Sequence, residues 1–146
     1  MATGALDILP RPSRAAATRL LEAANLPVAD LTDEHLDHFF FCGPANSPFG
    51  LVGLEIYGAD ALLRSLVVVP DARAAGAGTA LVMHIESYAR GQGVRSTFLL
   101  TTTAEAFFGR RGYIRVAREH APESIRTTRE LADICPAGSA LMVKTL

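Results

Sequence analysis

The stretch Leu66-Val67-Val68-Val69-Pro70-Asp71-Ala72-Arg73-Ala74-Ala75-Gly76-Ala77-Gly78-Thr79-Ala80-Leu81-Val82 decides the fold. It opens with apolar, mostly β-branched residues, the composition of a buried strand, and Pro70 ends that strand because it cannot donate to a central ladder. From Gly76 onward Leu81, Val82, Ile85 and Ala89 recur at helical spacing until Gly91-Gln92-Gly93 stops the helix. A strand therefore feeds a helix through a loop of alanine and glycine.

Such a loop suits an anion. Gly76 and Gly78 remove side chains that would block close approach, and the helix start adds unpaired N–H groups and the positive end of its dipole. The dipole contributes only about 0.3–1 kcal/mol. Hydrogen bonds to a charged partner contribute roughly 1.5–3 kcal/mol each, so three or four amides supply the roughly 8 kcal/mol of micromolar binding. A Walker loop needs Lys and then Ser or Thr after its second glycine, where this chain has Thr79-Ala80; a dinucleotide fingerprint needs a third small residue, where it has Leu81. Both nucleoside triphosphates and NAD are disfavoured.

The spelling Arg73-Ala74-Ala75-Gly76-Ala77-Gly78, with the strand and Pro70 before it and the helix after it, resembles the acetyl-CoA pyrophosphate loop of the GNAT superfamily of N-acetyltransferases. That resemblance implies an α/β (α+β) fold: a central mixed sheet of about six to seven strands, splayed between its two central parallel strands and flanked by about four helices. It implies acetyl-CoA as co-substrate, held by Arg73, Ala74, Ala75, Gly76, Ala77, Gly78 and Thr79, with Phe108 and Arg111 further along the cofactor. The thioester carbonyl would bond main chain at Val67, Val68 and Val69, which requires a gap between residues 66–69 and 98–102.

Length and composition set the bounds. With 146 residues, 49% hydrophobic and 20% charged, the chain reads as a single domain, 1–146. A net charge of −1 gives no footprint for nucleic acid. There is no apolar run of membrane-spanning length and no signal-peptide pattern at Met1–Asp7, so a cytoplasmic protein without membrane partners is expected. Cys42 and Cys135 read as two reduced thiols whose roles stay open. No metal is expected: His35 and His38 lie three apart without further ligands nearby, and read as surface groups.

Taken in order, residues 6–10 read as a short strand, and Ser13 caps a helix that ends near Asn25. A helical turn at 31–34 precedes the aromatic strand 39–42. Strands at 51–57 and 61–69 flank the turn Gly58-Ala59-Asp60. After the helix of residues 76–90 come a parallel strand at 96–103, joined by a right-handed crossover, and a short helix at 104–111. A strand at 114–118, a polar loop with a helical turn at 121–134 and a strand at 140–145 close the chain. This order is similar to the GNAT fold over nearly the whole length.

Amine acetylation needs a held thioester, a route for the ammonium proton and a proton for the leaving thiolate. Many family members carry a glutamate early on the strand before the loop; Leu62 stands there, and Glu55 on the preceding strand is the acid near enough to act through a water. Glu55 reads equally as a solvent-facing carboxylate. The family's tyrosine is replaced by Phe108, which leaves Tyr57, Tyr113, a threonine of 101–103 or water as the acid. Arg64, expected on one sheet face with Leu62 and Leu66, is either a clamp for a substrate carboxylate or a snorkelling surface residue. Beside it, Ser65, Thr101 and Thr102 are read as substrate contacts.

The segment 121–131, with Arg126 and Arg129, the Leu63-Arg64-Ser65-Leu66 run and Thr101–Phe108 look like the N-acetyltransferases of bacterial arsenic-resistance operons and, more distantly, acetylglutamate synthase domains. Both imply a small amine with an acidic or amino-acid-like character, over which Arg126 and Arg129 would close, and acetyl transfer in a direct ternary complex. A non-catalytic acyl-CoA-binding module is the alternative, since Leu62 and Phe108 stand where acid–base groups are common. Dimers are common in the resembled family, yet no motif specifies one, so a homodimer stays open.

Overall fold

The computed structural model describes residues 7–26, 28–70, 76–128, 131 and 138–146. Among these, seven strands form one sheet in the order β1-β2-β3-β4-β5-β7-β6. The strands are β1 (Ile8–Pro10), β2 (Phe39–Cys42), β3 (Gly50–Tyr57), β4 (Asp60–Val68), β5 (Ser96–Thr101), β6 (Ile114–Val116) and β7 (Ala140–Thr145). The helices are α1 (Arg14–Ala23), α2 (Ala77–Gly91), α3 (Glu105–Gly109) and α4 (Glu123–Arg126). Only β4 and β5 pair in parallel. The fold class expected from the chain is the one found.

Both faces of the sheet are covered. Phe40, Cys42, Val52, Leu54, Ala61 and Leu63 pack with Leu81, Val82, Ile85 and Ala89 of α2. The alternate residues Phe39, Phe41 and Leu51 meet Leu20 and Leu21 of α1, and Leu62, Phe98 and Leu141 meet Ile125 of α4. This alternation is the period of two that a strand imposes, and it explains why the aromatic run of β2 is buried throughout. Cys42 is a buried free thiol of the α2 face, and burial pushes it above its ordinary value; Cys135 lies outside the described residues.

One irregularity shapes the centre. Between Leu51↔Val67 and Gly53↔Arg64 the β3–β4 register slips by one, and Ser65 sits at φ +61°. Two residues of β4 thus oppose one of β3, a bulge that reverses which side chains face which layer. Leu63 faces α2, and beyond the bulge so do Leu66 and Val68. The expectation that Leu66 shares a face with Arg64 is corrected by this slip.

The ends of the elements follow local chemistry. The Ser13 hydroxyl accepts the Ala16 N–H at the start of α1. Gly93, at φ +87°, lets Val94 N–H return to the Ala89 carbonyl and close α2. β6 stops at Val116, two residues short of the expected strand, because Arg118–His120 turns into a 3-10 helix. No helix among the described residues is long and apolar enough to cross a membrane.

Gly53 has no room for a side chain, since a Cβ there would penetrate the Phe39 ring. Gly53→Ala should therefore destabilise the fold by roughly 1–3 kcal/mol through overpacking. A urea titration checks this, and a midpoint equal to that of the parent protein would contradict the packing described.

Candidate functional site

The site begins where two strands part. The described β4–β5 ladder runs only from Asp60↔Ser96 to Leu62↔Phe98. Ala59 carbonyl, accepting from Arg95 and Ser96 N–H, fastens its closed end. Beyond Phe98, β5 continues to Thr101 along β7, while β4 continues to Val68 along β3. The two central strands thus form a wedge that opens toward the start of α2. Val67 packs into the α1 face, Val68 into the α2 face, and Val69 is partly buried with its N–H on Phe49 carbonyl.

At the open end α2 starts without a side-chain cap. Gly76 is its N-cap, at φ +76°, and its carbonyl accepts the Ala80 N–H at 3.1 Å to begin the helical ladder. The amides of Ala77, Gly78 and Thr79 are those that an α-helix leaves without intrahelical acceptors. Gly76 is required by its backbone angle, as open space surrounds its missing Cβ; at Gly78 the Phe107 ring lies 3.4 Å from where a Cβ would be. Over this turn lies Arg111, which donates to the Thr79 hydroxyl and to Phe107 carbonyl at 2.6 Å, with its guanidinium 3.6 Å from the Phe107 ring centre. Among the described residues, Arg111 Nε is buried with no partner. Burial, and then the neighbouring Arg110 charge, pull the Arg111 guanidinium below its ordinary value. A cation short of one acceptor beside uncapped amides fits a phosphate-bearing ligand. Arg73, Ala74 and Ala75, expected to complete this loop, lie outside the described residues.

A second group of residues gathers one strand away from the apex of the wedge. Glu55 pairs in register with Leu62, the last β4 residue laddered to β5. Its carboxylate is buried: Oε1 accepts from the Tyr57 hydroxyl, and Oε2 from Arg64 Nη1 at 2.6 Å. The same guanidinium grips Asp30 with both arms, Nη1 at 2.6 Å and Nη2 at 2.9 Å, and its Nε donates to the Ser65 hydroxyl at 3.1 Å. Burial raises the Asp30 carboxyl, but the Arg64 hydrogen bond and charge outweigh it and hold the group below its ordinary value of 3.8. Burial, and then the Glu55 carboxylate, push the Tyr57 hydroxyl well above the usual phenol range, so it stays protonated at neutral pH.

His35 and His38, read as surface groups, are half-buried. His38 Nδ1 meets the Tyr88 hydroxyl at 2.5 Å. His35 Nδ1 accepts the Thr32 N–H at 3.1 Å while Thr32 hydroxyl accepts the His35 N–H, so the two residues cap each other. The neutral ring then carries its proton on Nε2, the atom 3.8 Å from Glu55 Oε2. Asp30, His35 and Glu55 each offer a ligand atom within 4.8 Å of the others. They do not fit a metal, because Arg64 already lies between the carboxylates and the facing imidazole nitrogen bears hydrogen. A cavity of about 390 Å³ opens beside them, lined by Thr32, Glu34, His35, Asp37, His38 and the Leu54–Tyr57 segment.

The remaining expected residues are dispersed. Arg64, its side chain 1% exposed, is engaged by internal carboxylates rather than held ready for a substrate's; the clamp reading is corrected. Ser65 is occupied by Arg64, and the Thr101 hydroxyl accepts the Ala104 N–H. Thr102 is an exposed turn residue. Phe108 is a core residue packed between Phe107 and Tyr113, with ring centres 5.1 and 5.5 Å away. Tyr113 donates to Glu86 at 3.0 Å inside the α2 layer, beside the Lys144–Glu86 pair, which removes it as the acid. Arg126, exposed on α4, donates Nε to Ala121 carbonyl; Arg129 lies outside the described residues. Asp30 was missed in the sequence because it lies 34 residues from Arg64, in a turn without periodicity.

Comparison with known proteins agrees with this geometry. The model of the acetyltransferase (GNAT) family matches residues 7–113. An uncharacterised N-acetyltransferase of Chlorobaculum tepidum is 33% identical over 118 residues, covering 77% of this chain and 74% of that one. An amino-acid acetyltransferase of Ralstonia nicotianae is 34% identical over 80 residues, 53% of this chain but 18% of the relative. The N-acetylglutamate synthase of Neisseria gonorrhoeae, solved with coenzyme A and N-acetyl-glutamate, superposes with a TM-score of 0.79 at 24% identity, over 97% of this chain and 35% of its own. The chain thus spans only a minor part of these last two proteins.

Removing the guanidinium leaves two buried carboxylates uncompensated. Arg64→Ala should cost roughly 3–5 kcal/mol of stability at neutral pH, measured by denaturant titration. Because the folded Asp30 value is depressed, its share is full above pH 3.8 and is lost as pH falls below that through the folded value. The difference between parent and variant should therefore shrink in acid, and a difference independent of pH would contradict the pairing.

Proposed function

The chain belongs to the GNAT acetyltransferase family, and on that premise we propose that it transfers the acetyl group of acetyl-CoA to the amine of a small amino-acid-like molecule, in a direct ternary complex. The observation that carries this reading is the parting of β4 and β5 after Leu62↔Phe98, at the foot of an uncapped helix start. Pantetheine is long, apolar in part and rich in amides, and a parted pair of strands offers it both a slot and ladder partners. The amides of Ala77, Gly78 and Thr79 and the Arg111 side chain would hold the diphosphate. Support for the co-substrate also comes from the Neisseria relative, which was solved with coenzyme A.

Glu55 is the base in this reading and Tyr57 the acid. The acceptor gives one proton to solvent and becomes the neutral amine; its nitrogen attacks the thioester carbon, the C–N bond forms, the C–S bond breaks, the proton left on the now ammonium-like nitrogen passes to Glu55, and the sulfur leaves as thiol with the Tyr57 proton. Tyr57 is then re-protonated from Glu55, to which it is hydrogen-bonded. The cavity beside Glu55 carries Glu34 and Asp37 on its wall and neither Lys nor Arg among its lining residues, which suits an incoming ammonium. An acidic group on the acceptor would meet Arg126 on α4, as the resemblance to the arsenic-resistance enzymes and the amino-acid acetyltransferase relative suggest. The same reading treats the chain as one catalytic domain working in the cytoplasm.

Thiol release from acetyl-CoA in the presence of a panel of amino acids tests the activity directly; release with none of them would overturn it. Glu55→Gln should lower kcat by about 10²–10⁴-fold with acetyl-CoA affinity retained, the usual cost of losing a positioned base. Arg111→Ala should weaken CoA binding about tenfold or more, the worth of one charged hydrogen bond; unchanged binding by calorimetry would place the diphosphate elsewhere.

A further inference from the structure

Two buried carboxylates share one guanidinium, and they share it unequally. Asp30 takes both arms of the fork, whereas Glu55 receives only Nη1, the arm Asp30 already uses. A bidentate grip is the stronger and more directional one, so Asp30 fixes the plane of the guanidinium. Arg14 donates to Leu31 carbonyl at 2.9 Å and anchors the turn on which Asp30 stands to α1. The position of Glu55 Oε2 is thus set through Arg64 by a residue of a different element.

The charge is shared as well. Among the described residues, two buried carboxyl groups, Asp30 and Glu55, face the one buried Arg64 guanidinium. A carboxylate alone with an arginine binds a proton weakly, while one that must share its arginine with a second carboxylate binds it better. Among the described residues, the other groups facing Glu55 are Tyr57 on β3 and His35 on the 3-10 turn, with Glu34, Asp37 and His38 on the adjoining cavity wall. Asp37 is itself paired with Arg11 at 2.8 Å, and His35, whose Nδ1 accepts from Thr32, faces Glu55 with an N–H and not a lone pair.

We propose that Asp30 is a positioning residue which, through the shared Arg64 guanidinium, orients Glu55 and sets the charge around it for taking the proton of the acceptor amine. The proposal rests on Glu55 being the base. In the step it describes, the ammonium N–H bond breaks and the proton joins Glu55; Asp30 gains and loses nothing.

The test is the pH dependence of thiol release by the full chain. Asp30→Asn removes the competing charge and turns Arg64 wholly to Glu55, so the acid limb of kcat should move down by about one pH unit. The double variant Asp30→Asn, Arg64→Met strips Glu55 of its guanidinium in a buried place, and the limb should move up by about the same amount. A merely structural role for Asp30 would lower activity and leave the limb in place. Thermal melts identify which variants fold, and either folded variant decides the sign. A limb that stays put in a folded variant, or moves against the stated direction, overturns the proposal. A parent enzyme active with its limb unchanged by Glu55→Gln would overturn the base reading and this inference with it, a distinct result.

Discussion

The structure depends on a ladder that stops early. Parallel strands are normally hydrogen-bonded along their common length, because main-chain groups buried without partners are costly. Here β4 and β5 are clamped at one end by Ala59 and three residue pairs, and then each is held by its outer neighbour, β3 or β7. The wedge persists under a shared layer: beneath α2 one cluster joins Leu63 of β4 with Leu99 of β5 and Met142 of β7, while on the other face α1 and α4 pack in separate clusters. Side-chain packing thus holds the two strands where their ladder does not, so the space between them can remain available for a ligand that is itself rich in amides.

The bulge at Ser65 links this wedge to the charge cluster. Without the register slip, Val67 would face α2, and the regular alternation along β4 would carry a different set of side chains past the apex. With it, Arg64 and Val67 both look toward the α1 layer, and the arginine reaches Asp30 as well as Glu55. A non-glycine residue in the left-handed region costs roughly 1–2 kcal/mol, and the Arg64–Ser65 hydrogen bond offsets part of it. The strain therefore sits beside the site, where a change of strand parity has a chemical consequence.

Much of this was readable in the residues. The β-branched run before Pro70, the helical spacing after Gly76 and the turn at Gly58 identify β4, α2 and the β3–β4 hairpin, since each is written in a local period or a glycine angle. Glu55, Tyr57, Thr79 and Arg111 were also in view, although their company was not. What stayed hidden depends on contacts between distant residues. Ser65 does not advertise a left-handed angle as a glycine would. Asp30 is one acid among several in a polar turn, and only folding brings it to Arg64. The substitution at Phe108 was visible, but its destination in the core beside Tyr113 follows from packing that no spacing encodes.

The charge balance finally bears on what the site can accept. Reading Arg64 as a substrate clamp makes the pocket electropositive and therefore selective for acids. Once Arg64 is shared by Asp30 and Glu55, the described centre sets two carboxyl groups against one guanidinium, and the cavity wall adds Glu34 and Asp37, the latter offset by Arg11. A free carboxylate placed there would be repelled, whereas an ammonium would be drawn toward the group that must deprotonate it. For the acceptor proposed above, the amine end therefore has to point toward the buried carboxylates of the β3–β4 hairpin side, and any acidic end has to point away from them.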